Sequence, residues 1–280
     1  MRFTSIQLDG KPVWGRVEGE EIIVPDKAFL HAKPTLMEAI ASDSLGMVAE
    51  VCESARVPLV EAVFSPVVPN PGRVICVGIN FKAHMNEMGR EPPEHPWLFV
   101  RWADSQVGNG QPIIRPNVSE QFDYEGELAV VIGKTARHVK AADALNYVAG
   151  YSCFMDGSVR DWQKHGSQFT PGKNFHKSGS FGPWLVTADE IPDPAVLNLQ
   201  TRLNGEVMQQ APISDLKFDI PALIEYISTF AELQPGDVIS TGTPGGVGFA
   251  RKPPVWLKPG DMIEVEVDGI GVLVNPVIAE

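Results

Sequence analysis

The segment FDYEGELAVVIG, residues 122–133, leads into an unbroken apolar run from Leu128 to Ile132. A strand with one wet face alternates apolar and polar side chains, so a continuous run of this kind, closed by Gly133, belongs to a sheet covered on both faces. RVICVGIN (73–80) has the same character. Further along, IPALIEYISTFAEL (220–233) carries Ile220, Leu223, Ile224, Ile227 and Phe230 at helical spacing. Pro-Gly-Asp occurs at 235–237 and again at 259–261, each time as turn chemistry before a strand-like run, VISTG and MIEVEV.

Toward the N-terminus, RFTSIQLDGKPVWGRVEGEEIIVP alternates around Asp9-Gly10 and Glu18-Gly19, the pattern of short antiparallel strands joined by tight turns. From Thr35 to about Ala55 the spacing of Leu36, Ile40, Met47 and Val51 predicts a helix. Three prolines and a glycine in SPVVPNPG (65–72) then interrupt any regular element. The expected organisation is a small N-terminal α/β domain over 1–65, a Pro-rich linker over 66–72 and a main domain over 73–280. The 24 prolines and 26 glycines among many strands and few helices indicate a β-rich α+β fold whose function sits in loops.

A chain of 280 residues, 44% hydrophobic, buries a full core and is not disordered. Thirty-five acidic against 23 basic residues leave a net charge of −12, which repels nucleic acid and anionic membranes. An anionic substrate would therefore need local basic groups or a bound cation. Cys52, Cys76 and Cys153 contain no CxxC pair and suggest neither a disulfide framework nor a zinc cluster. The absence of an apolar leader and of a membrane-length apolar run leads to the expectation of a soluble, cytoplasmic protein.

Five segments carry candidate chemistry. Glu125 and Glu127, two apart on a strand, project from one face, and two carboxylates beside a buried strand call for a hard divalent cation such as Mg²⁺, Mn²⁺ or Ca²⁺. Read alone, the pair is more often a solvated strand end. In DGSVRDWQ, a helix would put Asp156, Arg160 and Gln163 on one face, offering an oxygen ligand, a carboxylate-gripping cation and an amide. The plainer reading is Asp156 as a helix N-cap. Lys173, beside Gly172, is either a ligand-facing charge or a surface lysine. His84 and Glu87 at i and i+3 form a general-base dyad or an accident of helix spacing. The glycine-rich run 240–248, STGTPGGVG, is an anion nest or a plain turn; it has neither P-loop nor dinucleotide-binding spacing.

The order and spacing of VGINFKAHMNEMG (77–89), FDYEGELAVVIG (122–133), GYSCFMDGSVRDWQ (150–163), GKNF (172–175) and TGTPGGVG (241–248) resemble the fumarylacetoacetate hydrolase superfamily over roughly residues 70–280. The resemblance implies a mixed β-roll catalytic domain, commonly a homodimer, with one divalent cation, Mg²⁺, Mn²⁺ or Ca²⁺, on Glu125, Glu127 and Asp156. It implies a lid over 81–95 that brings catalytic His84 and Glu87 over the metal, a catalytic Lys173, and substrate contacts from Arg160, Gln163, Gly242 and Thr243. Met85, Met88 and Trp97 near the lid face either an acyl tail or the core. Phe81, Arg101, Met155 and His176 depart from the family's usual Tyr, Lys, Asn and Asp.

The expected reaction is metal-dependent hydrolysis of a carbon-carbon bond in a small anionic 2,4-dioxo acid such as an acylpyruvate. In it His84, assisted by Glu87, activates water, and Lys173 adds positive charge where an oxyanion develops. Decarboxylation of oxaloacetate or isomerisation of an oxo diacid is the alternative on the same scaffold, and a silent oxo-acid binding protein is the alternative from another class.

Overall fold

The computed structural model describes residues 1–87, 89 and 91–280. The described residues form a twelve-stranded sheet and a five-stranded sheet, with a small two-stranded ribbon beside them. The strand Gly126–Ile132 lies inside the large sheet, between Val148–Met155 and Val238–Ser240, and all of its residues are buried. Its alternate side chains enter two different cores. Leu128, Val130 and Ile132 pack in the cluster that contains Ile220, Leu223, Ile224 and Ile227, while Ala129 and Val131 join Phe3, Trp14, Leu36 and Leu185. Covering both faces is why this strand needs no polar alternation, and each buried Leu, Val or Ile contributes about 1.5–3 kcal/mol.

The predicted hairpins at the N-terminus form: Arg2–Leu8 pairs with Lys11–Glu18, which pairs with Glu21–Pro25. Arg2–Leu8 also pairs with Gly179–Thr187, so the first 65 residues, expected as a separate small domain, extend the same large sheet. Prolines 66, 69 and 71 redirect the chain without parting two cores; Val67 and Val68 are buried with Val74 and Val238. Val74–Gly78 then runs parallel to Val238–Ser240, and Trp97–Arg101 follows it.

The helix expected over Thr35 to about Ala55 is much shorter. It spans Leu36–Ala41, closed at its start by a reciprocal box between Thr35 and Glu38. Ser42 ends it by donating its hydroxyl to the Glu38 carbonyl, and Asp43 adopts a φ of 52°, outside the helical region. A short 3-10 turn, Leu45–Ala49, follows, and Glu53–Pro58 is a strand on Glu21–Pro25. Met47 is accordingly exposed, where the helical stripe would have buried it. The second predicted helix is Ile220–Phe230, capped by the Asp219 side chain on the Ala222 N–H. Phe230, the last residue of the helix, lies outside its buried stripe and is exposed, and Leu233, predicted as helical, instead bridges with Ala136.

Candidate active site

Register builds the acidic centre. Gly126 pairs with Met155 and Glu127 with Phe154, and the Asp156 N–H donates to the Glu125 carbonyl at 2.8 Å, so the third carboxylate arrives opposite the first. Glu125, Glu127 and Asp156 each offer an oxygen within 4.8 Å of the others, and all three residues are buried. A Cβ on Gly126 would lie 2.0 Å from Thr201 Oγ1, so glycine between the two glutamates lets the second sheet pass close behind them. Asp156 does not share a helix with Arg160 and Gln163. Ser158–Val159 pairs as a strand with Phe122–Asp123, and the helix begins only at Arg160. A Cβ on the intervening Gly157 would meet the Ser178 carbonyl oxygen at 1.8 Å, and this tight passage holds the segment extended.

Three buried cations answer these acids. Lys173 Nζ donates at 2.6 Å to Glu125 Oε2, to Asp156 Oδ2 and to Ser158 Oγ. Arg160 donates to Asp123 Oδ2 at 2.8 Å, Glu125 Oε1 at 2.6 Å and Gln163 Oε1 at 3.1 Å. Arg101 donates to Asp156 Oδ1, to the Gly157 carbonyl at 2.9 Å and to Ser178 Oγ at 2.7 Å. Burial alone would raise the Glu125 carboxyl, but the charges of Arg160 and Lys173 overcome it and hold that group well below the usual carboxylate range. Burial pushes the Glu127 carboxyl far up, the Asp156 and Glu125 charges add to the push, and the Ser240 hydroxyl opposes it. Burial favours a neutral Lys173, yet Asp156 and Glu125 outweigh it and raise its ammonium.

Four buried carboxylates, Asp123, Glu125, Glu127 and Asp156, thus face Arg101, Arg160 and Lys173. The excess acid rests on Glu127, whose Oε2 accepts from Ser240 Oγ at 2.5 Å and Gly242 N at 2.9 Å. A carboxylate has about four lone-pair sites, and the bonds of Glu125, Glu127 and Asp156 occupy two apiece, leaving lone pairs for a cation. A hard divalent ion fits this all-oxygen set, and its charge would leave the centre net positive toward an anion.

His84 of the dyad lines the same pocket. His84 Nδ1 lies 3.0 Å from Glu87 Oε2 on the short helix Lys82–Glu87, and His84 is 4% exposed. The base of this helix is pinned by Asn80, whose amide donates to the Phe218 and Thr241 carbonyls. The glycine-rich run turns its N–H groups on the protein's own carboxylates: Gly242 on Glu127, Gly246 on Glu87 at 3.0 Å and Gly248 on Asp123 at 2.8 Å. Thr243 donates its hydroxyl to the Gly126 carbonyl and accepts from Gln209.

A cavity of about 160 Å³ connects His84, Glu125, Glu127, Lys173, Arg160, Gln163 and Thr243, walled by aromatic groups that include Phe99, Phe169 and Phe249. Trp97 lines it too, whereas Met85 is in the interior and Met88 lies outside the described residues. Sequence reasoning missed Asp123, gave Ser240 no role of its own within the run 240–248, and singled out Arg101 only as a departure. Asp123 was signalled by its place two residues before Glu125; Arg101 meets Asp156 across 55 positions, a contact without a local signature.

Residues 73–278 match the model of the fumarylacetoacetate (FAA) hydrolase C-terminal family. A curated relative from Rattus norvegicus, a mitochondrial oxaloacetate tautomerase, is 42% identical over 235 residues, which are 82% of this chain and 75% of that protein. The structure of a fumarylacetoacetate hydrolase from the psychrophile Exiguobacterium antarcticum superposes with a TM-score of 0.86 at 35% identity over all of both chains. Maleylpyruvate hydrolase from Sphingobium sp. SYK-6, solved with manganese(II) and pyruvate, gives 0.81 at 30% identity over 100% of this chain and 99% of that one. The cytoplasmic expectation is corrected by the mitochondrial relative: charge and apolar patterning report on solubility and carry no address within the cell.

Proposed function

The chain belongs to the fumarylacetoacetate hydrolase family, and on that premise we propose that it is a divalent-metal-dependent enzyme that moves a proton on a small 2-oxo diacid, converting oxaloacetate between enol and keto forms. The observation that carries this reading is the hydrogen-bonded His84–Glu87 pair, whose His84 lines the same cavity as Glu125 and Glu127. Glu87 accepts the Nδ1 proton, which leaves Nε2 of His84 as the atom able to take or give a proton inside the cavity. A divalent cation on Glu125, Glu127 and Asp156 supplies, when bound, the Lewis-acid charge that favours the enolate of a 2-oxo acid. His84 takes the proton from the carbon beside the oxo group, Glu87 stabilises the imidazolium that forms, and that proton passes to the oxo oxygen to complete the enol; ketonisation runs the same transfer in reverse. Lys173 and Arg160 keep Glu125 ionised, and Phe99, Phe169 and Phe249 keep bulk water out.

The cavity is small against the roughly 300–1,000 Å³ of pockets for drug-sized ligands, which suits a compact acid. The name of the rat relative supports tautomerisation over the carbon-carbon hydrolysis expected first. Hydrolysis remains the second reading, favoured by the likeness to maleylpyruvate hydrolase. The homodimer implied by the resemblance is part of the proposal and is tested by light scattering. Product analysis separates the reactions. Tautomerisation speeds loss of enol absorbance and leaves the carbon skeleton intact; release of CO₂ would make the protein a decarboxylase, and two acid fragments from an acylpyruvate would restore the hydrolase reading.

A further inference from the structure

The cations deep in the cavity are engaged by the protein itself. All three of the bonds that an ammonium donates are made by Lys173 to Glu125, Asp156 and Ser158. Arg160 holds Asp123, Glu125 and Gln163, and Arg101 holds Asp156, Gly157 and Ser178. Each of these three cations already faces one or two of the protein's own carboxylates, so a second substrate carboxylate would meet an unmatched positive charge only at a cation without an acidic partner.

Lys164 follows the short helix Arg160–Gln163, and its side chain lines the same cavity while remaining exposed. Among the described residues it forms no ion pair with a carboxylate. Its Nζ rests 4.2 Å from the centre of the Phe249 ring, a cation–π contact of modest strength that a carboxylate readily outcompetes. The Phe249 backbone is anchored by its N–H, which donates to Asp123 Oδ2 at 2.9 Å, the same oxygen that receives Arg160, and its ring packs 6.3 Å from that of Trp256. The ring therefore holds the ammonium in place without neutralising it. Burial sets the direction of the cavity, from Glu127 and Lys173, each 1% exposed, at its floor to Lys164 at its rim.

We propose that Lys164 is a specificity residue that binds the distal carboxylate of the substrate and so selects 2-oxo diacids over 2-oxo monoacids. This rests on the 2-oxo acid reading of the site, and it assigns the end of the substrate that the acidic centre does not hold. Lys164 leaves the Phe249 face for the incoming carboxylate.

The test compares oxaloacetate with 2-oxobutanoate, which has a methyl group in place of the distal carboxylate, by calorimetric titration of the Mg²⁺-loaded protein. The wild type is expected to prefer oxaloacetate. Lys164→Met, which keeps chain length and removes charge, is expected to weaken oxaloacetate about tenfold and leave 2-oxobutanoate unchanged; Lys164→Arg is expected to keep the preference. Equal binding of the two acids by the wild type would overturn the assignment, as would a Lys164→Met variant that weakens both alike or neither. A wild type that binds with the expected preference yet leaves enol ketonisation at its uncatalysed rate would refute the tautomerase reading and leave Lys164 standing.

Discussion

Ser240 touches no substrate in the proposed reaction, yet it donates at 2.5 Å to the carboxylate whose proton affinity burial and two neighbouring acids raise most. Removing that donor leaves Glu127 held by Gly242 alone and strengthens its grip on a proton against a metal. Ser240→Ala is expected to weaken Mn²⁺ binding roughly 10-fold to 100-fold, read by calorimetry, with little change in the unfolding midpoint. Unaltered affinity would show that Glu127 is not a ligand. At this scale the sequence was informative where the chemistry is local. Glu125 with Glu127, and His84 with Glu87, are spacings of two and three residues, and the structure places each pair together. Lys173 meets Glu125 from 48 positions away, a contact made by the folded sheet and by no periodicity.

Elements follow the same division. The strand Gly126–Ile132 and the helix Ile220–Phe230 were legible because burial on two faces or one stripe writes itself into the order of apolar residues. The stretch after Thr35 was not, because the Ser42 and Ser44 hydroxyls offer backbone carbonyls hydrogen bonds that compete with a helix, Asp43 turns to a positive φ, and an apolar tally passes over all three. The segment at Asp156 was misread for a related reason: Gly157 marks a close approach to Ser178 that only the fold reveals. Where a cap is local, its energy is accessible to test. Asp219→Ala, which removes the acceptor for the Ala222 N–H at 2.8 Å, is expected to cost about 1 kcal/mol by urea denaturation. A loss below a few tenths would mean that packing of Ile220, Leu223, Ile224 and Ile227 alone holds the helix start.

Across the whole molecule, one continuous sheet joins the N-terminal hairpins to the strands that bear the site, through the pairing of Arg2–Leu8 with Gly179–Thr187. Thr4 and Ser5 add buried side-chain bonds to the Pro183 and Val67 carbonyls. Residues 1–65 are therefore expected to unfold together with the remainder, giving coincident transitions by hydrogen exchange of the amides of residues 1–65 and by circular dichroism. Separated transitions would restore an independent N-terminal domain. The net charge of −12 takes on a specific meaning at this scale. On the proposed reading, a divalent ion on the acidic centre and Lys164 at the rim would reverse locally the long-range repulsion of an anionic substrate.

Metal-dependent proton transfer through His84 is tested most directly by following the loss of enol-oxaloacetate absorbance with protein stripped by EDTA and then given Mg²⁺ or Mn²⁺. The stripped wild type is expected to match the uncatalysed rate and the added metal to restore catalysis. His84→Ala is expected to bind the metal normally and lose about 10²–10⁴-fold in rate. Full activity in the stripped protein, or in metal-loaded His84→Ala, would refute this assignment of the site.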